Sequence, residues 1–328
     1  MPCLYHIHPQ AVKTTAAHKR KRVQTDATPR ILTGMTKEDQ RFYSFLVFQE
    51  CGKYNIDMDF YWATALLYFI SSVLYSSFFW TQNERVCMYG FVAIVIGAGL
   101  QTVSLIIAYT GGVLVTGGLD STLYIFAWLI ALVYIGSQFV FRASIFGAFV
   151  APLAFIMTLP HVILPQGIIE HDPSLANPWI LIHILLILLG EALFTVAFVS
   201  GIFYIFQENR IKSKHLGSFL RKFPSLTTLD KINHICLIVG FPLLTLGLAL
   251  GLLLAKEIWG NAWVWGWKET WSIVTWFLYA VLIHGRLASG WKGRKAAIGA
   301  VLGFCIILFT LFVIGFLAPG QHDFLGNF

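Results

Sequence analysis

Eight apolar stretches, each close to the ~20 residues that a bilayer core demands, constrain this chain more than any other feature. They run roughly over 60–80, 88–109, 122–141, 146–165, 179–206, 233–255, 270–287 and 297–317. In hydrocarbon every backbone N–H and C=O must be satisfied internally, so runs of this length read as helices. The fifth is long enough to extend beyond the bilayer. No internal repeat of the transporter kind is visible. Only 12% of the 328 residues are charged and 57% are hydrophobic, against about 25% charged in a soluble domain. The expected fold is an all-α integral membrane protein, a bundle of about eight transmembrane helices.

In such a chain the net charge of +7 is read first as topology, before nucleic acid is considered. The alternate loops 81–87, 141–145, 207–232 and 286–296 hold twelve Lys and Arg. The other set, 110–121, 166–178, 256–271 and 318–328, holds two, Lys256 and Lys268. The positive-inside rule places the first set in the cytoplasm. The 256–271 loop and the C-terminus then face outward from a bacterial-type cytoplasmic membrane. By parity the N-terminus is outside too, although residues 1–59 carry nine Lys and Arg. That segment lacks an apolar h-region and is not a signal peptide. Residues 1–59 are expected to be either a disordered extension or the product of a misassigned start, with Met58 just before the first span. Residues 60–328 then form the membrane domain.

The outward loop is unusual in composition. Six of the eleven tryptophans fall in WGNAWVWGWKETWSIVTW: Trp259, Trp263, Trp265, Trp267, Trp271 and Trp276. Indole is flat, large and polarizable. An aromatic belt would spread such residues over many helix ends, so their concentration in one loop points to a platform for a flat, mostly apolar ligand. The cysteines, Cys3, Cys51, Cys87, Cys236 and Cys305, show no CxxC spacing. They read as small apolar filler rather than a disulfide framework or metal cluster.

Three of the ten histidines stand out by depth. His183 lies four residues after Trp179, about 6 Å along the fifth helix and so just below the outer surface. His322 is in the outward tail, five residues beyond the eighth span. His284 is thirteen residues beyond Trp271, about 20 Å deeper. A lone intramembrane His is either a satisfied hydrogen-bonding group or a ligand. Two imidazoles at the level of an indole-rich loop can hold a haem, with nitrogens on the iron and indoles against the porphyrin. A deep third His suggests a second haem position. Lys256 and Lys268 are the cations available to propionates in the outward inter-span loops. His161 and His171 are further candidate ligands without specific spacing. His215 and His234 read as solvated or interfacial. Glu191 either faces the His183 cavity or pairs with a polar neighbour. Gln101 reads as an interhelical hydrogen-bonding residue, and Glu269 as a residue suited to the positive end of the seventh helix.

These residues resemble a known family. WGNAWVWGWKETWSIVTW followed by YAVLIHGR is similar to the tryptophan-rich signature of haem-handling proteins of cytochrome c biogenesis. The nearest branch is CcsA, also called ResC, of the system II cytochrome c synthetase. LDKINH with GFPLLTLGLALG, WILIHILLILLGEALFTVAF and FLAPGQHDF extend the resemblance over about 60–328. It implies haem b as substrate, held at the outer face between His183 and His322. The platform is then Trp259, Trp263, Trp265, Trp267 and Trp271, with Lys268 beside it. It implies an intramembrane haem site at His284 whose other ligand comes from a CcsB (ResB) partner. It also implies delivery of haem to the CxxCH motif of apocytochrome c, as a subunit of a haem lyase. Two departures stand out. Trp265-Gly266-Trp267-Lys268-Glu269-Thr270 replaces the usual W-D-P-K-E-T, and Gln101 stands where members often have His. Both are shared with HemX-like membrane proteins that modulate haem biosynthesis, which is the alternative function.

Overall fold

The computed structural model describes Thr81 and residues 59–78, 83–110, 119–163, 177–214, 223–259 and 267–309; the side chains of 258–259 and 267–268 are outside that description. Eight α-helices run through these residues. They are α1 (59–78), α2 (Glu84–Thr110), α3 (Leu119–Phe141), α4 (Gly147–Ile163), α5 (Pro178–Lys212), α6 (Leu226–Trp259), α7 (Trp267–Leu287) and α8 (Arg294–Leu308). The protein is an all-α membrane bundle. Five helices, α2 to α6 with the short 3-10 turn Ser144–Phe146 leading into α4, are long and apolar enough to cross a bilayer. The expected seventh span corresponds to α7, whose sequence WKETWSIVTWFLYAVLIHGRL is diluted by Lys268, Glu269, His284 and Arg286. The eighth is described over only the 15 residues of α8.

The helix ends differ from the apolar runs in a systematic way. α2 begins at Glu84, inside the expected 81–87 loop, because the Asn83 side chain accepts from the Arg85 amide at 3.0 Å and caps it. α5 starts at Pro178 behind Asn177, whose Oδ1 accepts from Trp179 N at 3.0 Å. Proline suits that first position because its missing N–H would be orphaned anyway. At the other end α5 runs to Lys212, giving 35 residues, or about 52 Å at 1.5 Å per residue. α6 starts early too, where Ser225 Oγ accepts from Thr228 N at 3.1 Å. Both helices therefore outlast a ~30 Å hydrocarbon core, and much of the expected 207–232 loop is helix.

α5 is the central element and packs against α3, α6 and α8, while α3 and α4 pack together. Lipid is as apolar as leucine, so close contact between such helices depends on small residues at the crossings. A Cβ at Gly190 would lie 2.9 Å from Gly240 O across the α5–α6 crossing, and one at Gly201 would lie 2.8 Å from Ala297 O of α8. Polar side chains knit α1 to α4. Tyr68 OH donates to Gln101 Oε1 at 2.7 Å, and Gln101 Nε2 donates to Tyr124 O at 2.8 Å. Gln101 is thus the interhelical hydrogen-bonding residue its sequence position suggested. Deeper in the same half, the hydroxyls of Tyr75 and Tyr134 meet at 2.6 Å.

Candidate functional site

α6 ends at Trp259 and α7 begins at Trp267, so the tryptophan-rich segment joins these two helix ends. His183 lies one to two turns into α5. Its ring packs on α6 where that helix presents glycine. His183 Nδ1 is 2.7 Å from Gly247 O, 64 residues away in sequence. A carbonyl oxygen can only accept, so Nδ1 carries the proton. In the neutral ring the lone pair is then on Nε2, the arrangement seen when an imidazole is set to bind a metal through that nitrogen. Gly247 is twelve residues before Trp259 on the same helix, or about 18 Å along the axis. The donor chemistry at His183 fits an iron ligand.

His284 is placed differently. It is exposed on α7, on a face shared with Val274, Phe277 and Val281, which are 39%, 59% and 57% exposed. This face points away from the rest of the bundle. Two residues on, Arg286 faces inward and is only 7% exposed. Its Nη2 donates to Asp230 Oδ1 and to the Asp230 carbonyl at 3.0 Å. Nη1 donates to Asn233 Oδ1 at 3.0 Å and Nε to His234 Nδ1 at 3.1 Å. Asp230 Oδ1 also accepts from Gly293 N at 3.0 Å. One guanidinium therefore ties the end of α7 to the start of α6 and, through Asp230, to the start of α8. His234, read as solvated or interfacial from its sequence position, is part of this network.

The described residues include part of the predicted set. Trp271 lies in α7 with its ring centroid 4.8 Å from Phe309. Trp276 Nε1 donates to Thr245 Oγ1 of α6 at 2.9 Å, which makes it a helix-packing residue. Trp259, Trp267 and Lys268 are placed by backbone at the ends of α6 and α7. Trp263, Trp265 and His322 lie outside the described residues, as do His171, His215 and residues 1–58. Glu269 is in the first turn of α7, where a carboxylate complements the positive helix end. Its Oε2 is buried and has no hydrogen-bond partner among the described residues. The Glu191 carboxyl is an electrostatic neighbour of the Tyr279 hydroxyl, itself buried without a hydrogen-bond partner among the described residues.

His161 belongs to a separate arrangement. It is 7% exposed and its Nδ1 is 2.8 Å from Asp120 Oδ2. Its ring stacks on Tyr124 at 4.6 Å and meets the edge of Tyr61 at 4.7 Å. This hydrogen-bonded pair and the two tyrosine rings join the ends of α1, α3 and α4.

Sequence reasoning missed three features: the glycine bed under His183, the Arg286 network and the His161–Asp120 pair. The first left a trace. Gly240, Gly247 and Gly251 in GFPLLTLGLALG are seven and four residues apart, which puts them on one helix face.

The segment 116–322, which takes in α3 to α8 and the residues through His322, matches the cytochrome c assembly protein family. A match over this much of a 328-residue chain is decisive. The chain belongs to the cytochrome c assembly protein family. It is similar to the cytochrome c biogenesis protein CcsA of Chlamydomonas reinhardtii, 28% identical over 214 residues, covering 63% of this chain and 59% of the relative. It is also similar to CcsA of Guillardia theta, 30% identical over 197 residues, covering 54% of this chain and 65% of the relative. The CcsA of Gloeobacter violaceus is 41% identical over 108 residues, a third of each chain. The chain thus spans about six tenths of the length of the first two relatives.

Proposed function

We propose that this protein binds haem b within the membrane, carries it to the outer face and presents it to apocytochrome c during cytochrome c maturation. The observation that carries this reading is the His183 ring, hydrogen-bonded through Nδ1 to Gly247 O at 2.7 Å on the helix that leads into the tryptophan-rich segment. His183 and His322 are the axial ligands at the outer site. Trp259, Trp263, Trp265, Trp267 and Trp271 cover the porphyrin, and Lys268 meets a propionate. His284, on the exposed face of α7, serves an intramembrane haem whose second ligand comes from a CcsB/ResB-like subunit. The tryptophan loop and C-terminus face outward, and residues 60–328 are the haem-handling domain, with 1–59 an extension to it.

The chemistry asks little of the chain beyond placement. Each thiol of the CxxCH motif adds across a haem vinyl group. Sulfur bonds to one carbon, the thiol hydrogen ends on the other, and no net oxidation occurs. The protein's share is to hold the vinyls where two thiols reach them, as one subunit of a haem lyase. The test is the visible spectrum of the purified protein. A Soret band that weakens or shifts in His183→Ala and in His322→Ala supports the reading, and a protein that stays colourless with added haem contradicts it.

A second reading rests on Gly266-Trp267 in place of the signature Asp-Pro. A HemX-like protein modulating haem biosynthesis retains haem binding but ligates haem to nothing. Restoration of cytochrome c maturation in a strain lacking its own CcsA, with the cognate partner supplied, favours the first reading. Failure despite full expression favours the second.

A further inference from the structure

We propose that Gly251 and the Gly247 carbonyl are positioning elements that fix the His183 ring in one location and one tautomer, with Nε2 as its iron-binding nitrogen. The inference rests on the reading of His183 as a haem ligand.

The geometry is specific. A Cβ built on Gly251 would collide with His183 Cε1 and lie 2.9 Å from Nδ1 and 3.2 Å from Nε2. Two ring atoms therefore lie closer than a Cβ at 251 tolerates, and a third is in tight contact. A helical His has few alternative positions, because χ1 near +60° drives the ring into the preceding turn. An alanine at 251 leaves the ring no way to keep both its rotamer and its bond to Gly247 O. The same face needs glycine one turn earlier. A Cβ at Gly247 would come within 2.6 Å of Ile187 Cγ1 and 3.0 Å of Ile187 N, one turn from His183. That close approach brings the carbonyl within 2.7 Å of the imidazole. In a helix the 247 carbonyl also receives the 251 amide, and an oxygen with two lone pairs can serve both donors. The spacing in GFPLLTLGLALG thus acquires a role. Gly240 meets Gly190 at the crossing, whereas Gly247 and Gly251 seat the imidazole.

The test uses the chain purified with its partner subunit and with haem bound, read by visible absorption. His183→Ala is expected to lose the outer-site signal and regain it with excess imidazole. Gly251→Ala is expected to show the same loss but no recovery, because the added Cβ takes the space an imidazole needs, and the double variant to equal Gly251→Ala. Gly190→Ala, which disturbs the α5–α6 crossing seven residues along α5, is the packing control and is expected to keep the signal. A wild-type spectrum for Gly251→Ala overturns the inference and leaves the His183 reading intact. A wild-type spectrum for His183→Ala overturns both. A Gly251→Ala loss that adds to that of His183→Ala, or is matched by Gly190→Ala, identifies a packing defect and also overturns the inference.

The carbonyl has its own test, which needs no change at 251. In His183→Gly, imidazole and 4-methylimidazole can donate to Gly247 O while binding iron, but 1-methylimidazole has no N–H. Its half-saturating concentration for recovery is expected to be roughly 3- to 10-fold higher, the worth of one neutral hydrogen bond. Equal recovery by all three overturns the role given to the carbonyl.

Discussion

The two halves of the bundle place their imidazoles in different ways. In α1–α4, His161 is pinned at Nδ1 by the Asp120 carboxylate and flanked by Tyr124 and Tyr61. In α5–α8, His183 is held by a backbone carbonyl over glycine, and His284 stands on an exposed helix face. The Asp120 carboxylate and the rings of Tyr124 and Tyr61 take up His161 inside the α1–α4 half. The Gly247 carbonyl can only accept, so it fixes a proton on Nδ1 of His183. An ionisable residue in a membrane span is a functional hypothesis by default. Here burial separates the structural histidine from the candidate ligands: His161 is 7% exposed, whereas His183 is half-buried and His284 exposed.

Three substitutions can break or sharpen that contrast. The largest expected effect on folding is at the Arg286 network. Arg286→Ala leaves the Asp230 carboxylate without its guanidinium, and removing one partner of a buried pair typically costs about 3–5 kcal/mol. The expected outcome is a sharp fall in the amount of folded protein extracted from membranes, measured by size-exclusion profile. A normal yield would mean that the network does not hold α7. Next comes His161→Ala, which strands Asp120 and removes the ring that joins Tyr124 and Tyr61. It is expected to cost about 1–3 kcal/mol, read as a lower thermal transition, while the haem spectrum is unchanged. Loss of the haem signal would move a ligand into the α1–α4 half and end the contrast. The smallest effect is at Gly99, where an added Cβ meets nothing within 4 Å. Gly99→Ala is expected to be silent in haem binding and to change stability by no more than about 1 kcal/mol. A loss of haem there would show that this open surface on α2 is in use.

The helices were legible because bilayer crossing imposes length and hydropathy on the sequence directly. The expected run 146–165 became Gly147–Ile163, and 122–141 became Leu119–Phe141. Errors gathered where polar residues continue a helix into water. Arg210 and Lys212 in the last turn of α5 read as loop, although they suit a helix C-terminus. His183 stood out as a candidate by its depth below Trp179. Its acceptor was not, because a backbone carbonyl 64 residues away carries no sequence signal. The same holds for the Asp120–His161 pair, 41 residues apart, and the Asp230–Arg286 pair, 56 apart. Each residue was visible as polar, but its partner was set by helix packing. Gln101 was read correctly because a buried amide in a span has few roles other than interhelical hydrogen bonding.

The contrast between the two imidazoles comes down to a single measurement: the visible spectrum of haem-loaded protein carrying either His183→Ala or His161→Ala. The expected result is that the first loses or shifts the Soret band and that the second retains it at wild-type position and intensity per folded molecule. A retained band in His183→Ala, or a lost one in His161→Ala, would contradict it.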